Sequence, residues 1–500
     1  MDLSGLLHAL TADEALAQAA RAATPTGHVV APAAATPFLA AAMARRHLVL
    51  AVTATSRQAE DLAAAASGLL GRDTVAVLPA WETLPHERLS PGSDIVGRRL
   101  AVLRRLAHPD PDDATVGPVT LVVAPVRALL QPLVVGLGDL VPVSAHVGDA
   151  VAPEDLAAAL VAAGYGPTDL VEKRGQFAVR GGIVDVFPPT EEHPVRVEFW
   201  GDDVEEIRYF RVADQRSLEV APHGLWAAPC RELLLTPAVR ARAAALAEEH
   251  PELADMCGRI SEGIAVEGME ALSPVLADGM HTLADVLAAA AGDRAPLVLL
   301  CDPELVRTRA HDLVATSNEF LAASWHNAAA GNVTPIDLGG AAYRELDDVH
   351  EVARDLGLAW WSVGPFGIAD DPAEPGTASL APMPDGALVP DLKPAPAYRG
   401  DGTALAADLR RALSGGQRVV VVTAGVGSAT RLVEQLGGEG VPARVAPGVT
   451  RWPVTAGTVT VTTGRLESGL VAPGIGLLLL TEQDVRGRKG AARDQARMPS

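Results

Sequence analysis

Hydrophobic positions along the chain follow two different rhythms. From Leu48 to Ala54 and from Thr120 to Ala124, short unbroken Val/Leu runs alternate with alanine-rich stretches of helical period such as Arg57 to Leu70. Continuous apolar runs are strands covered on both faces, so this alternation predicts a parallel sheet with helices on its two sides. A further run, Leu297 to Leu300, is expected to close that sheet, with helical patterns from Pro237 to His250 and from Thr282 to Ala291 packed on it. Between these parts the period drops to two. Phe177 and Val179 share one face while Gln176, Ala178 and Arg180 take the other. Gly181-Gly182 then allows a tight turn. After Pro188-Pro189, Val195, Val197 and Phe199 alternate with Arg196, Glu198 and Trp200 up to the turn Gly201-Asp202-Asp203. Side chains of a strand alternate between faces, so this stretch predicts an antiparallel module inserted into the α/β domain.

Proline, glycine and small residues dominate from about Asp370 to Arg399, the composition of a linker or extended edge. Arg418 to Val422 then predicts a strand, Ala424 to Gly427 a turn and Ser428 to Leu436 a helix. The expected organisation is an α/β domain over 1–140, an inserted β-rich domain over 141–215 and the rest of the α/β domain over 216–349. An extended segment over 350–399, a small α/β domain over 400–480 and a closing linker over 481–500 complete it.

Composition sharpens this picture. The chain has 500 residues, 48% of them hydrophobic but only 4% aromatic, so it folds and each exposed aromatic is informative. No apolar run approaches the roughly 18 residues of a membrane span, and the start, MDLSGLLHALTADEALAQAA, lacks a basic leader. Cys230, Cys257 and Cys301 are isolated and odd in number, which fits a reducing cytoplasm and no metal site. The formal net charge of −21 opposes a polyanion, so weak DNA binding is expected. The arginine pairs of GRRLAVLRRL, Arg98-Arg99 and Arg104-Arg105, are expected on a solvated basic helix face.

Two places carry candidate chemistry. Arg180, Arg196 and Trp200 fall on one outward face, and Arg and Trp are the residue types that most often dominate protein interfaces. That face is either a docking patch or the packing surface of a neighbouring domain. The second place opens with His28-Val29-Val30 and runs through Thr36 and Pro37 into an apolar helix, while Leu297 to Leu300 ends near Asp302 and Glu304. A phosphate loop needs Gly-Lys followed by a hydroxyl. The only lysines, Lys173, Lys393 and Lys489, follow Glu172, Leu392 and Arg488, so no Gly-Lys pair exists. Weaker patterns carry little: Glu82, His86 and Glu87 form an imaginable acid/base set without a nucleophile, and the other histidines are scattered.

Three blocks carry a family resemblance. FAVRGGIVDVFPP with HPVRVEFWGDDVEEIRYF and VADQRS, LPAWETLPHERLSPGSDIVGRRLAVLRRL, and GRLESGLVAPGIGLLLLTEQDVRGRK occur in that family's segments. The chain resembles the transcription-repair coupling factor (Mfd) family and, more distantly, the excision-repair protein UvrB. The resemblance implies a helicase-like, P-loop-type parallel-sheet domain with a degenerate nucleotide site at Thr36, Pro37, Asp302 and Glu304. It also implies an inserted antiparallel domain that binds UvrA, and a further small α/β domain. Carried over by position, the UvrA-facing residues are Arg180, Arg196 and Trp200. At the Trp200 position the family often has phenylalanine, and Ala178 stands where UvrB-like sequences often carry arginine. No cofactor is expected for this chain. ATP and magnesium, RNA polymerase and double-stranded DNA are expected to engage a remaining carboxy-terminal part, which is also expected to mask the docking patch. The end of the chain, after the basic stretch Arg486 to Arg493, is expected to be an internal point of a longer bacterial cytoplasmic protein. The rival reading is an active ATP-dependent DNA helicase or repair enzyme subunit.

Overall fold

The computed structural model describes residues 2–84, 87, 89–110, 117–329, 342–366 and 386–487, with side chains excepted over 324–329. His86, most of the proline-rich segment and the basic stretch from 488 onward lie outside the described residues.

The unbroken apolar runs form a parallel sheet of six strands. In spatial order these are Thr26–Val30, Ala359–Gly364, Pro296–Cys301, Leu48–Thr53, Leu121–Pro125 and Val75–Val77. Every pairing is parallel. Leu48–Thr53 is buried at all positions because both faces are covered. Val49, Ala51, Leu121 and Val123 pack with helices Thr36–Ala44 and Ser56–Leu70 on one side. Leu50, Val52, Val122 and Val298 pack with helices Ser93–Ala107, Leu283–Ala290 and Leu346–Asp355 on the other. The run Leu297 to Leu300 does not close this sheet. Ala359–Gly364 lies between it and Thr26–Val30, inside the span 350–399 expected as linker. Its sequence, AWWSVG, breaks the apolar run with a serine whose hydroxyl is claimed by His28 Nδ1 at 2.8 Å. The helix Leu346–Asp355 likewise crosses the expected boundary at 349.

The inserted module is a second six-stranded sheet, ordered Ser217–Val220, Asp203–Phe210, Val195–Trp200, Ile183–Val186, Gln176–Val179 and Gly166–Pro167. All pairs are antiparallel except the last. Its inner face, including Phe177, Val184, Val186, Val195, Val197 and Ile207, closes on Leu156 and Leu160 of the helix Pro153–Ala162. The module outruns the expected limit of 215. Ser217–Val220 is its edge strand, and Leu225–Ala227 pairs with Val143–Ala145 where the chain enters and leaves.

Two contacts fix the module, and the segment that leaves it, to the parallel-sheet domain. At Gly97 in the helix Ser93–Ala107 a Cβ would lie 2.2 Å from Pro189 Cβ, so this glycine is required by the close approach of the FPP turn. Below it, Arg99 and Glu232 form a fully buried pair at 2.5 Å, and Trp81 Nε1 donates to the same carboxylate oxygen at 3.0 Å. This corrects the solvated basic face expected for GRRLAVLRRL. Arg99 is in the core, and Arg105 Nε donates to Gly117 O at 2.9 Å, while Arg98 remains at the surface with Glu60 3.8 Å away.

Beyond the module, helices Pro237–Glu249 and Ala254–Ser261 pack on each other around their own core of Leu246, Cys257, Ile260 and Leu272, and not on the sheet as expected. Leu283–Ala290 does pack on the sheet. The carboxy-terminal unit is a third sheet, with Arg418–Thr423 at its centre and helices Gly402–Ser414 and Val426–Gly438 on one face. Its other face shares a core with the parallel-sheet domain through the helix Ser4–Leu10: Leu3, Leu6 and Leu7 meet Val420, Val422, Leu477 and Leu479. Gly5 N donates to Val449 O at 2.8 Å and Leu3 N to Gly68 O at 2.7 Å, so the first residues tie the two units together.

Candidate docking face

The alternation in the inserted sheet turns Arg196, Glu198 and Trp200 outward on one strand, with Val195, Val197 and Phe199 buried behind them. A two-residue hairpin at Gly181-Gly182, closed by Arg180 N to Ile183 O at 2.9 Å, brings Arg180 to the same side. Gly181 has φ +59°, the conformation such a turn requires. Opposite Arg196 in register stands Asp185. Sequence reading did not single it out, although the alternation of IVDV places it outward between two inward valines.

Asp185 organises this corner. Its side chain is 0% exposed and accepts from Arg196 Nε at 2.7 Å, Arg196 Nη2 at 3.0 Å and Arg180 Nη2 at 2.5 Å. The bidentate fork and the buried carboxylate make this a strong, geometrically specific pair. Arg196 also donates to Gln215 O at 3.3 Å, and its guanidinium carbon lies 4.7 Å from the Phe210 ring centre. Phe210 belongs to a small second core on this face with Val171, Ala178 and Phe187. The hydrogen bonds from Arg196 to Asp185 raise its pKa further, and its side chain retains only 14% exposure. Arg180 differs: anchored by one nitrogen, it leaves 45% of its side chain to solvent.

Trp200 stands at the far end of the strand with 78% exposure. A register shift between Glu198 and Phe199 leaves Glu205 without an opposite partner just before it, and such a bulge increases the local twist where the indole emerges. The face is not the cationic patch that two arginines suggest. Both guanidiniums share one carboxylate of the chain itself, Arg208 is matched to Glu206 at 2.7 Å, and Glu198 and Asp203 add negative charge that outweighs the remainder.

The second candidate place lies at the start of the helix Thr36–Ala44 and the end of the strand Pro296–Cys301. Thr36 and Pro37 begin the helix Thr36–Ala44 with Ala35 as a non-capping start, and Phe38 behind them is fully buried. Asp302 follows the strand Pro296–Cys301 with φ +62° and its N–H given to Val363 O at 2.8 Å, while exposed Glu304 pairs with Arg307 at 3.3 Å. Between these two strand ends lies Gly364, whose carbonyl accepts from Ala31 N at 3.0 Å and which packs on Pro303. No lysine occurs in these segments, so the Gly-Lys-hydroxyl sequence of a phosphate loop is not formed by them.

Glu82 and Glu87 serve the backbone, accepting from Gly92 N at 2.6 Å and Leu84 N at 2.7 Å. Among the described residues no group of three or more His, Cys, Asp or Glu could hold a metal ion, and no helix is long and apolar enough to cross a membrane.

Residues 143–224 match the family model of the UvrB interaction domain. The match begins at the strand Val143–Ala145 and ends beside its partner Leu225–Ala227, so it coincides with the inserted module, and Arg180, Asp185, Arg196 and Trp200 all fall within it. Over 491 residues the chain is 46% identical to the transcription-repair-coupling factor of Mycobacterium tuberculosis, covering 94% of this chain and 38% of that protein. The transcription-repair-coupling factor of Bacillus subtilis is 33% identical over 198 residues, 39% of this chain and 16% of that protein. UvrABC system protein B of Gemmatimonas aurantiaca is 33% identical over 137 residues, 26% of this chain and 18% of that protein. The chain belongs to the transcription-repair-coupling factor family, and it spans 38% of the length of the mycobacterial relative.

Proposed function

We propose that this chain is the non-catalytic, UvrA-docking portion of a bacterial transcription-repair coupling factor, with the outer face of the inserted sheet as its contact surface. The observation that carries the proposal is an indole 78% exposed at the end of a strand whose arginine is already locked in place. A large rigid aromatic beside a pre-oriented guanidinium is the make-up of an interface hot spot. On this reading Trp200 fills an apolar recess of UvrA, Arg180 offers its free edge to an acid there, and Arg196 holds the corner rigid.

The parallel-sheet domain is then a helicase-like scaffold that has lost its phosphate grip. ATP, magnesium, RNA polymerase and double-stranded DNA belong to the rest of a longer protein that displaces stalled polymerase in the bacterial cytoplasm. The net charge of −21 supports a protein rather than a nucleic-acid partner for this portion. Calorimetric titration with UvrA tests the face. Arg180→Ala and Trp200→Ala should each cost about 2 kcal/mol, roughly a thirtyfold rise in Kd. Wild-type affinity in both variants contradicts the assignment.

A further inference from the structure

The outward residues of the Val195–Trp200 strand run Arg196, Glu198, Trp200, and the middle one is unmatched. Its cross-strand neighbours are Ile183 on one side and Glu206 on the other. Glu206 is itself taken by Arg208 at 2.7 Å. Among the described residues Glu198 makes no hydrogen bond or ion pair; Arg196 and Arg208 act on it only through space, Arg208 being paired with Glu206 and Arg196 sharing Asp185 with Arg180. A half-buried carboxylate set directly opposite a second carboxylate is unfavourable in the free chain, because like charges facing each other across strands repel. A cation arriving from outside relieves that repulsion.

We infer that Glu198 is the receptor for a basic side chain of the docking partner, an arginine or lysine held between the Glu198 carboxylate and the Trp200 indole. This rests on the outer face being the UvrA-binding surface, and adds the chemistry its partner must present. Successive outward residues of a strand stand about 7 Å apart, so a guanidinium or ammonium bound at Glu198 has its body against the indole two residues on. Tryptophan is the ring that attracts such a cation most strongly. Charge balance supports the same occupant. Around Glu198 the carboxylates Asp185, Glu198, Asp203 and Glu206 outnumber the guanidiniums Arg180, Arg196 and Arg208 by one, and the exposed Glu205 at the bulge adds a further acid. A partner offering only acids is repelled here. One offering an acid at Arg180 and a base at Glu198 is matched in both places.

The test is calorimetric titration of the chain with UvrA, using wild type, Glu198→Gln, Trp200→Ala and the double variant. Glu198→Gln is expected to weaken binding about tenfold, an effect that shrinks at high salt and largely disappears in the Trp200→Ala background. A thermal unfolding midpoint for Glu198→Gln at or above that of wild type, as relief of the Glu198–Glu206 repulsion requires, shows that the loss arises at the interface. If Trp200→Ala weakens binding but Glu198→Gln binds as well as wild type or more tightly, the receptor is refuted and the docking face stands, since removing an acid from a face that meets acids strengthens the complex. If Trp200→Ala and Arg180→Ala both bind as wild type, the face itself is not the site and the receptor falls with it.

Discussion

Replacing Asp185 by asparagine removes the buried charge on which both Arg180 and Arg196 are anchored. Three N–H groups converge on that carboxylate at 2.5, 2.7 and 3.0 Å. Removing one partner of a fully buried pair costs about 3–5 kcal/mol, most of it from the charge left behind. Here the stranded charges are not fully buried: the Arg196 side chain is 14% exposed and that of Arg180 is 45% exposed, so water recovers part of the loss. Asparagine keeps one acceptor but turns an amide N–H₂ toward guanidinium donors. The net expectation is about 2 kcal/mol, or roughly thirtyfold in the local opening equilibrium. Amide hydrogen exchange on the whole chain measures it. Exchange should accelerate roughly thirtyfold in Ile183–Val186 and Val195–Trp200 and stay unchanged in Leu48–Thr53. Equal protection of these two central strands in variant and wild type would refute the claim that Asp185 organises the face.

Gly97→Ala places a methyl 2.2 Å from Pro189 Cβ, so the inserted module must shift from the Ser93–Ala107 helix; about 1–3 kcal/mol of lost stability and earlier proteolytic cleavage near the Pro188-Pro189 turn are expected. Burial pushes the Cys230 and Cys301 thiols up to about 12, so neither should react with a thiol reagent at pH 8 until denaturant is added; rapid labelling of folded protein at either position contradicts this. Burial holds the His28 imidazole below its ordinary 6.5. Its neutral form is therefore favoured by folding, a contribution complete above pH 6.5 and lost as the pH falls from there toward the lower folded value. Protection of Thr26–Val30 and Ala359–Gly364, corrected for intrinsic exchange, should drop over that interval in wild type and less in His28→Gln.

Period-two alternation made the inserted sheet legible, because one dry face leaves an unambiguous pattern; the turn at Gly181-Gly182 and the outward placement of Arg180, Arg196 and Trp200 follow from it. Asp185 escaped notice because alternation gives a side chain's face but not its partner, and the pairing with Arg196 depends on cross-strand register. Ala359–Gly364 escaped because a serine interrupts the apolar run of AWWSVG, its hydroxyl being satisfied by a histidine more than three hundred residues away in sequence. Arg99 was misplaced for a related reason. Helical spacing cannot distinguish a solvated arginine from one buried opposite Glu232, a residue that arrives only after the whole inserted module. The shared core between Ser4–Leu10 and the carboxy-terminal sheet joins the two ends of the sequence, beyond the reach of any local pattern.

Contact at the indole is the central claim, and Trp200→p-benzoylphenylalanine tests it without relying on an affinity change. Irradiated with UvrA, the photoreactive side chain is expected to give a cross-link that the same group at exposed Val445, on the carboxy-terminal sheet, does not. A cross-link from the Val445 position alone, with none from position 200, would contradict the account.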